Sequence, residues 1–255
     1  MRVLFVYPNL YTQMGFNHGL ASLSAQLKLA GHETRLVNLN ENLPPVPSRD
    51  DVYALLKSWG PGVIGFSCLT QQYAAAVELA TWLRARAADD GCALPPLVVG
   101  GIHPTMVPLD VMRDGVWDHV GVGECEDALV ELVAALERGE SPENVRNFVS
   151  WRGGVRPADA ACGTHGAEHW VHNPVGEFPD FANLPEPDYE LFDTQRITDQ
   201  KMGWFGLMTS RGCPYRCTYC LNHKIVDRYK AELGRNVKNI GFFRFRPADK
   251  MIAEI

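Results

Sequence analysis

The amino-acid sequence predicts an α/β fold with an open, doubly wound parallel sheet, and two observations carry this prediction. First, short β-branched runs alternate with amphipathic stretches through residues 1–140, which is the pattern of parallel strands covered by helices. Second, the run VLFVY at 3–7 is apolar at every position, as expected of a strand with helices packed on both faces. About five strand–helix units fit into this region.

The predicted elements follow in order along the chain. After the first strand, a helix over 17–29 repeats leucine on one face and ends at Gly31. Ser48 and Asp51 have the spacing of a capping box and predict the start of a second helix, which Gly60 ends. The remaining strands are predicted at 34–39, 63–67, 97–99 and 119–122, and the remaining helices at 74–86 and between 124 and 139.

Beyond residue 140 the sequence changes character. Pro, Gly and Asn become frequent and helical periodicity is lost, although FVSWRGGV at 148–155 is typical of one arm of a hairpin. Three prolines keep 178–192 extended, and its aromatic side chains indicate a structured linker. A new strand is predicted at 203–209. The chain is therefore expected to divide into 1–140, 141–200 and 201–255.

Composition argues against several classes of partner. The net charge is −6 and no basic stripe stands out, so no nucleic-acid partner is expected. No apolar run approaches the ~20 residues of a membrane span, so no membrane association is expected. The N-terminal sequence does not resemble a signal peptide, and the seven cysteines form an odd set. Both features predict a cytoplasmic, reducing location.

Candidate ligand contacts follow the strands of the predicted sheet. In open parallel sheets, ligands bind outside the carboxyl ends of the strands. The candidates in these loops are Asn9, Thr70, Gln71, Gly100, Gly101, His103, Gly123 and Glu124. The dinucleotide fingerprint and the P-loop are both absent, which argues against NAD and ATP and leaves a large, flat cofactor held mainly by backbone.

Each of these candidates also has a purely structural interpretation. The alternative interpretation of the glycines is that they form tight turns between strand and helix. His103 is equally expected to cap a carbonyl in its loop. Glu124 and Glu126 could form a catalytic acid pair, but a helix N-terminus attracts glutamate through its dipole alone, and that interpretation is preferred.

Three of the cysteines, Cys213, Cys217 and Cys220, lie within eight residues in the stretch SRGCPYRCTYC. As zinc ligands they would need a fourth partner such as His223, and structural zinc sites usually pair their cysteines in two separated knuckles. As a disulfide set, their number is odd and the compartment is wrong. As an iron–sulfur site, three thiolates hold three irons and leave a fourth iron free for another ligand. Their spacing favours the iron–sulfur interpretation.

The same stretch resembles the signature of radical S-adenosylmethionine (SAM) enzymes, in which an aromatic residue precedes the third cysteine. Cys213, Cys217, Tyr219 and Cys220 fill that pattern. The resemblance implies a 4Fe-4S cluster on the three cysteines, with SAM bound at its open iron and Tyr219 near the adenine. It also implies that 201–255 begin a partial (βα) barrel, with Pro247 opening its first helix. So little follows residue 203 that the chain is expected to be a fragment or a truncated product.

The first domain resembles the cobalamin-binding domain of radical SAM enzymes that carry both cofactors. The shared motifs are Tyr-Pro after the first strand, Gly-His-Glu at 31–33, Gly-Gly-x-His-Pro-Thr at 100–105, Gly-Glu-x-Glu at 123–126 and Leu-Pro-x-Pro-Asp-Tyr at 184–189. The D-x-H-x-x-G motif of other cobalamin proteins is absent, so the resemblance implies no histidine beneath cobalt unless His103 serves.

The resulting expectation is a cobalamin-dependent radical SAM enzyme that cleaves SAM to a 5′-deoxyadenosyl radical. The expected outcome is methyl transfer or rearrangement on a small biosynthetic substrate, with an external electron donor of the flavodoxin or ferredoxin kind. The alternative is an inactive cobalamin-binding module whose cysteines hold zinc or no metal. A second cysteine–histidine string, Cys162 to His172, is interpreted as a polar loop.

Overall fold

The computed structural model describes residues 1–11 and 15–254 and contains a seven-stranded sheet in the order β2-β1-β3-β4-β5-β6-β7. Its strands are β1 (Arg2–Tyr7), β2 (Glu33–Asn38), β3 (Val63–Ser67), β4 (Leu97–Gly100), β5 (His119–Gly121), β6 (Phe148–Trp151) and β7 (Trp170–His172). The first five strands are parallel, whereas β6 and β7 are antiparallel to their neighbours. The predicted open, mostly parallel α/β sheet is confirmed.

Helices cover both faces of this sheet. They are α1 (His18–Leu29), α2 (Arg49–Trp59), α3 (Thr70–Asp89), α4 (Ile102–Met106), α5 (Pro108–Arg113), α6 (Glu126–Glu137), α7 (Thr194–Gln200), α8 (Asn222–Leu233) and α9 (Ala248–Ala253). One core cluster contains side chains of α2, α3 and α5, and the other contains those of α1 and α6. The sheet is therefore doubly wound, with an apolar layer on each face.

Local sequence signals explain where the helices begin and end. The Ser48 hydroxyl accepts a hydrogen bond from the Asp51 amide at 3.2 Å, and the Asp51 carboxylate accepts one from the Ser48 amide at 2.8 Å. These two contacts form the predicted capping box of α2. Gly60 follows the helix in the left-handed region, at φ 61°.

The sheet extends beyond residue 140. Strand β6, which lies in the predicted hairpin arm, pairs with the free edge of β5. Strand β7, which the sequence analysis did not predict, pairs with β6, so both strands continue the main sheet. Trp151 and Trp170 are paired across these strands and are both buried. Two antiparallel strands thus cover an edge that would otherwise be open.

Two predictions for 201–255 are wrong. The segment 203–209 is not a strand. Among the described residues from 201 to 254, the paired ones are Ser210–Arg211 (β8), which bond antiparallel to Arg244–Phe245 (β9). Trp204 is 72% exposed, so the apolar run has no sheet to join. The first helix after the cysteines is α8, with Val226 and Tyr229 buried, and Pro247 instead caps the later helix α9. Because β8 and β9 are antiparallel, the parallel barrel stays a prediction.

The helices of the described residues include none that is both long enough and apolar enough to span a bilayer.

Candidate functional site

The carboxyl ends of the parallel strands meet at one edge of the sheet. In the strand register Tyr7 lies opposite Asn38, and Ser67 lies opposite Gly100. The loops that follow these strands therefore lie side by side, and the candidate contacts predicted from the sequence are brought to the same edge. We call this set of loops, after β1, β2, β3, β4 and β5, the carboxyl edge.

His103 and Thr70 are joined across the carboxyl edge. His103 Nδ1 lies 3.3 Å from Thr70 Oγ1, and its ring centroid lies 4.2 Å from that of Tyr73. Burial lowers the pKa of His103, although Asp114 and Asp110 act in the opposite direction. A neutral imidazole is therefore expected at neutral pH. The polar partner of Nδ1 is the Thr70 hydroxyl, and not the loop carbonyl considered in the sequence analysis.

Gly100 and Gly101 have different structural roles. A Cβ at Gly101 would lie 2.6 Å from the Cys68 carbonyl oxygen, and the φ of Gly101 is +102°. Only glycine fits there, because the β4 loop passes directly against the end of β3. A Cβ at Gly100 would meet nothing within 4 Å. Gly100 therefore leaves open space at the carboxyl edge.

Buried amides line the edge beside β1 and β2. Asn9 is 1% exposed and Asn40 is fully buried. Asn40 Oδ1 accepts a hydrogen bond from the Asn42 backbone amide at 2.9 Å. The Nδ2 of Asn40 has no hydrogen-bond partner among the described residues. The buried Nδ1 of His18 likewise has none among them. Buried polar atoms normally have hydrogen-bond partners, so these two atoms indicate a place where a bound ligand would supply the missing partners.

Glu124 and Glu126 form an ion network that sequence reasoning missed. Arg211 Nη1 lies 2.7 Å from Glu124 Oε2 and 2.5 Å from Glu126 Oε1. Arg244 binds Glu124 from β9, with Nη1 at 3.1 Å from Oε2. The acids belong to the loop after β5 and the start of α6, whereas the arginines lie 85 to 120 residues further along the chain. The acid pair therefore joins the carboxyl edge to the segment that bears the cysteines.

Tyr229 of α8 covers Gly123. Its hydroxyl accepts a hydrogen bond from the Glu124 amide at 3.1 Å, and its ring stacks on Phe178 at 3.8 Å. A Cβ at Gly123 would lie 2.2 Å from that hydroxyl. Gly123 and Glu124 were predicted as cofactor contacts, and that role stays a prediction, but the structure gives both of them protein neighbours.

The three cysteines lie on the loop 213–220 between β8 and α8, which we call the cysteine loop. Cys217 is exposed, Cys213 and Cys220 are partly exposed, and all three are free thiols. Tyr219 is 91% exposed. Over the described residues, no three side chains of His, Cys, Asp or Glu are grouped so that they could hold a metal ion. The loop thus carries three thiols without gathering them into a preformed metal site, and the string from Cys162 to His172 forms no such site either.

A family model and two curated relatives match large parts of this chain. Residues 11–133 match the family model of the B12 binding domain. An uncharacterized methyltransferase of Pyrococcus horikoshii is 26% identical over 206 residues, which are 79% of this chain and 39% of that protein. The anaerobic magnesium-protoporphyrin IX monomethyl ester cyclase of Rubrivivax gelatinosus is 25% identical over 241 residues, covering 90% of this chain and 40% of that protein.

Solved structures share the fold. The cobalamin-dependent SAM radical enzyme OxsB superimposes with a TM-score of 0.66 at 21% identity, over 94% of this chain and 32% of that one. The radical SAM methyltransferase TsrM from Kitasatospora setae gives 0.59 at 18% identity, over 90% of this chain and 45% of that one. The chain thus spans about two fifths of the length of the first curated relatives it matches.

Residues 11–133, just under half of the chain, match the B12 binding domain, and they fall within the α/β sheet region. More particularly, the structural neighbours of the chain include cobalamin-dependent radical SAM enzymes, and the chain is partial relative to them, in agreement with the resemblance seen in the sequence.

The two cofactors of that class fit the described residues to different degrees. A cobalamin fits the carboxyl edge, because Gly100 leaves open space and two buried atoms, Asn40 Nδ2 and His18 Nδ1, have no hydrogen-bond partner among the described residues. An iron–sulfur cluster fits the donor chemistry of the cysteine loop, since free thiols are its ordinary ligands. It does not fit the arrangement of those thiols, which are not gathered.

Proposed function

We propose that this chain is the cobalamin-binding part, together with the cysteine-bearing segment, of a cobalamin-dependent radical SAM enzyme. The relatives reported above are a methyltransferase and a cyclase, which supports methyl transfer or rearrangement as the reaction. The proposed substrate is a small molecule, and the proposed electron source is an external donor of the flavodoxin or ferredoxin kind.

One observation carries this proposal: the ion network places the cysteine loop beside the carboxyl edge. Cys213 lies two residues after Arg211, whose guanidinium is held by Glu124 and Glu126 at the end of β5. The sheet edge where a B12 domain would hold its cofactor and the loop with three thiols are therefore neighbours. Two sites that act on one substrate need this proximity.

The carboxyl edge would hold cobalamin by contacts of this chain's own residues. Asn9, Asn40 and Thr70 offer polar groups, and Gln71, whose side chain is exposed and bonds the Tyr11 carbonyl at 3.3 Å, lies at the start of α3. Gly100 admits a flat ring system close to the backbone. Bound cobalamin would supply a methyl group or an electron, while His103 stays neutral beside Thr70.

The cysteine loop would take up iron and sulfide, with Cys213, Cys217 and Cys220 as ligands. We propose that SAM then binds next to Tyr219, whose exposed ring is available for contact with an adenine. Because the thiols are not gathered in the described loop, cluster assembly would have to draw them together.

The rival function is a cobalamin carrier whose cysteines hold zinc or no metal. Anaerobic reconstitution with iron, sulfide and hydroxocobalamin separates the two. We expect bound iron and cobalt, a broad visible absorption from sulfur-to-iron charge transfer, and a changed electron spin signal when SAM is added to the reduced protein. The control is the same chain reconstituted with zinc, which should not respond to SAM.

Bound zinc in place of iron, or a spin signal that SAM leaves unchanged, would support the carrier and contradict the enzyme. Reconstitution that yields iron but no cobalt would remove the cobalamin part of the proposal.

A further inference from the structure

The loop between β5 and α6 contacts both flanks of the cysteine loop. Before the cysteines, Arg211 reaches Glu124 and Glu126. After the cysteines, the hydroxyl of Tyr229 in α8 accepts a hydrogen bond from the Glu124 amide, and it lies against Gly123. The eight residues that carry the three thiols are thus tied at both ends to one short segment of the carboxyl edge.

The ion pairs on the first flank are largely shielded from water. The side chain of Glu126 is 4% exposed and that of Arg211 is 11% exposed. Burial opposes the charge on Arg211, but the carboxylates of Glu126 and Glu124 outweigh it and raise the pKa of the guanidinium. Because removing one member of such a pair leaves the other charged and buried, the contact resists opening.

Aromatic side chains complete the anchor. The Arg211 guanidinium lies 4.9 Å from the ring centroid of Phe181, and that of Arg244 lies 4.6 Å from Phe178. Phe178 in turn stacks on Tyr229. Cations held over rings and away from water interact more strongly than exposed ones, so both arginines have fixed positions.

We propose that Glu124 and Glu126 are positioning residues, which hold Arg211 and Arg244 and thereby fix the cysteine loop over the carboxyl edge of the sheet. This positioning role differs from the catalytic acid pair considered in the sequence analysis, and the prediction that Glu124 contacts a cofactor is separate from it. The anchoring rests on the contacts of the described residues, and only its value for cofactor chemistry rests on the proposed function.

Thiol reactivity in the full chain, reduced and free of metal, tests this proposal. Iodoacetamide is added for timed intervals, and alkylation at each cysteine is quantified by mass spectrometry. In Glu126→Gln we expect alkylation of Cys213 to accelerate about tenfold. The reason is that a modest loss of local stability lets the cysteine loop open more often. The exposed Cys92 and Cys162 should keep their rates, since they lie away from the anchor.

Two further variants make the result specific. Glu131→Gln alters an exposed glutamate on the same helix and should leave every rate unchanged. Glu126→Gln combined with Arg211→Gln should accelerate Cys213 no more than Arg211→Gln alone, because Arg211→Gln already removes the ion pair with Glu126 as well as the one with Glu124. Arg211→Lys keeps the positive charge but replaces the planar guanidinium, whose Nη1 contacts both carboxylates, by a shorter ammonium group, and it should give an intermediate rate.

An unchanged Cys213 rate in Glu126→Gln would overturn the proposal. An equal acceleration at Cys92 and Cys162 would also overturn it, since that would show general unfolding. If Glu126→Gln does not fold, the alkylation rate of Cys213 in Arg211→Lys is used for the same test. The assay contains neither iron nor cobalamin, so failure of the proposed function would leave these rates as expected.

Discussion

Replacing Cys217 by alanine is expected to reduce the iron content of the reconstituted chain from about four atoms to nearly none, because three thiolates are the minimum that hold a 4Fe-4S cluster with one open iron. Cys217 is the most exposed of the three thiols, so its loss should cost little folding stability. Cys213→Ala and Cys220→Ala should have the same effect. Iron and sulfide are measured by chemical analysis after anaerobic reconstitution and desalting.

Cys92→Ala and Cys162→Ala are the matched controls, since both cysteines are free and exposed elsewhere on the surface. They should retain the full iron content. Equal iron in all five variants would mean that the metal binds without specificity, and the cysteine loop would lose its assigned role.

Replacing Gly100 by valine is expected to weaken binding of hydroxocobalamin about 30-fold, because the side chain would fill the space in which the cofactor lies, at a cost of about 2 kcal/mol. The fold should be unaffected, since a Cβ at this position meets nothing within 4 Å. Binding is followed by the change in visible absorption on titration, and folding by thermal unfolding of the same samples.

Gly100→Ala provides the graded control and should weaken binding less than valine does. If valine leaves the affinity unchanged while the protein is folded, the cofactor does not lie against Gly100, and the carboxyl edge would need another occupant.

The sequence was sufficient for the parallel sheet because its signals are local. Ser48 and Asp51 lie in one helical turn, and the apolar run 3–7 needs no distant partner to be interpreted. The segment 203–209 has an equally apolar pattern but forms no strand, since strand formation also depends on a neighbour to pair with. A single sequence does not reveal whether that neighbour exists. Strand β7 was missed for the converse reason, as three residues carry little pattern.

The candidate site was predictable in its loops but not in its connections. The position of Asn9, Gly100 and His103 follows from the rule that strand ends share an edge, and the structure places them there. The pairing of Glu126 with Arg211 spans 85 residues, and no spacing rule covers such a distance. Charge alone gave a simpler explanation for the two acids, namely the helix dipole.

The account depends on cobalamin and an iron–sulfur cluster being neighbours in one site. Electron spin resonance of the chain loaded with both, reduced so that cobalt is Co(II) and the cluster is paramagnetic, tests this directly. We predict that the Co(II) signal is broadened and relaxes faster than in Cys217→Ala, which holds cobalamin alone. An identical Co(II) signal in the two proteins, with both cofactors present in the first, would contradict the account.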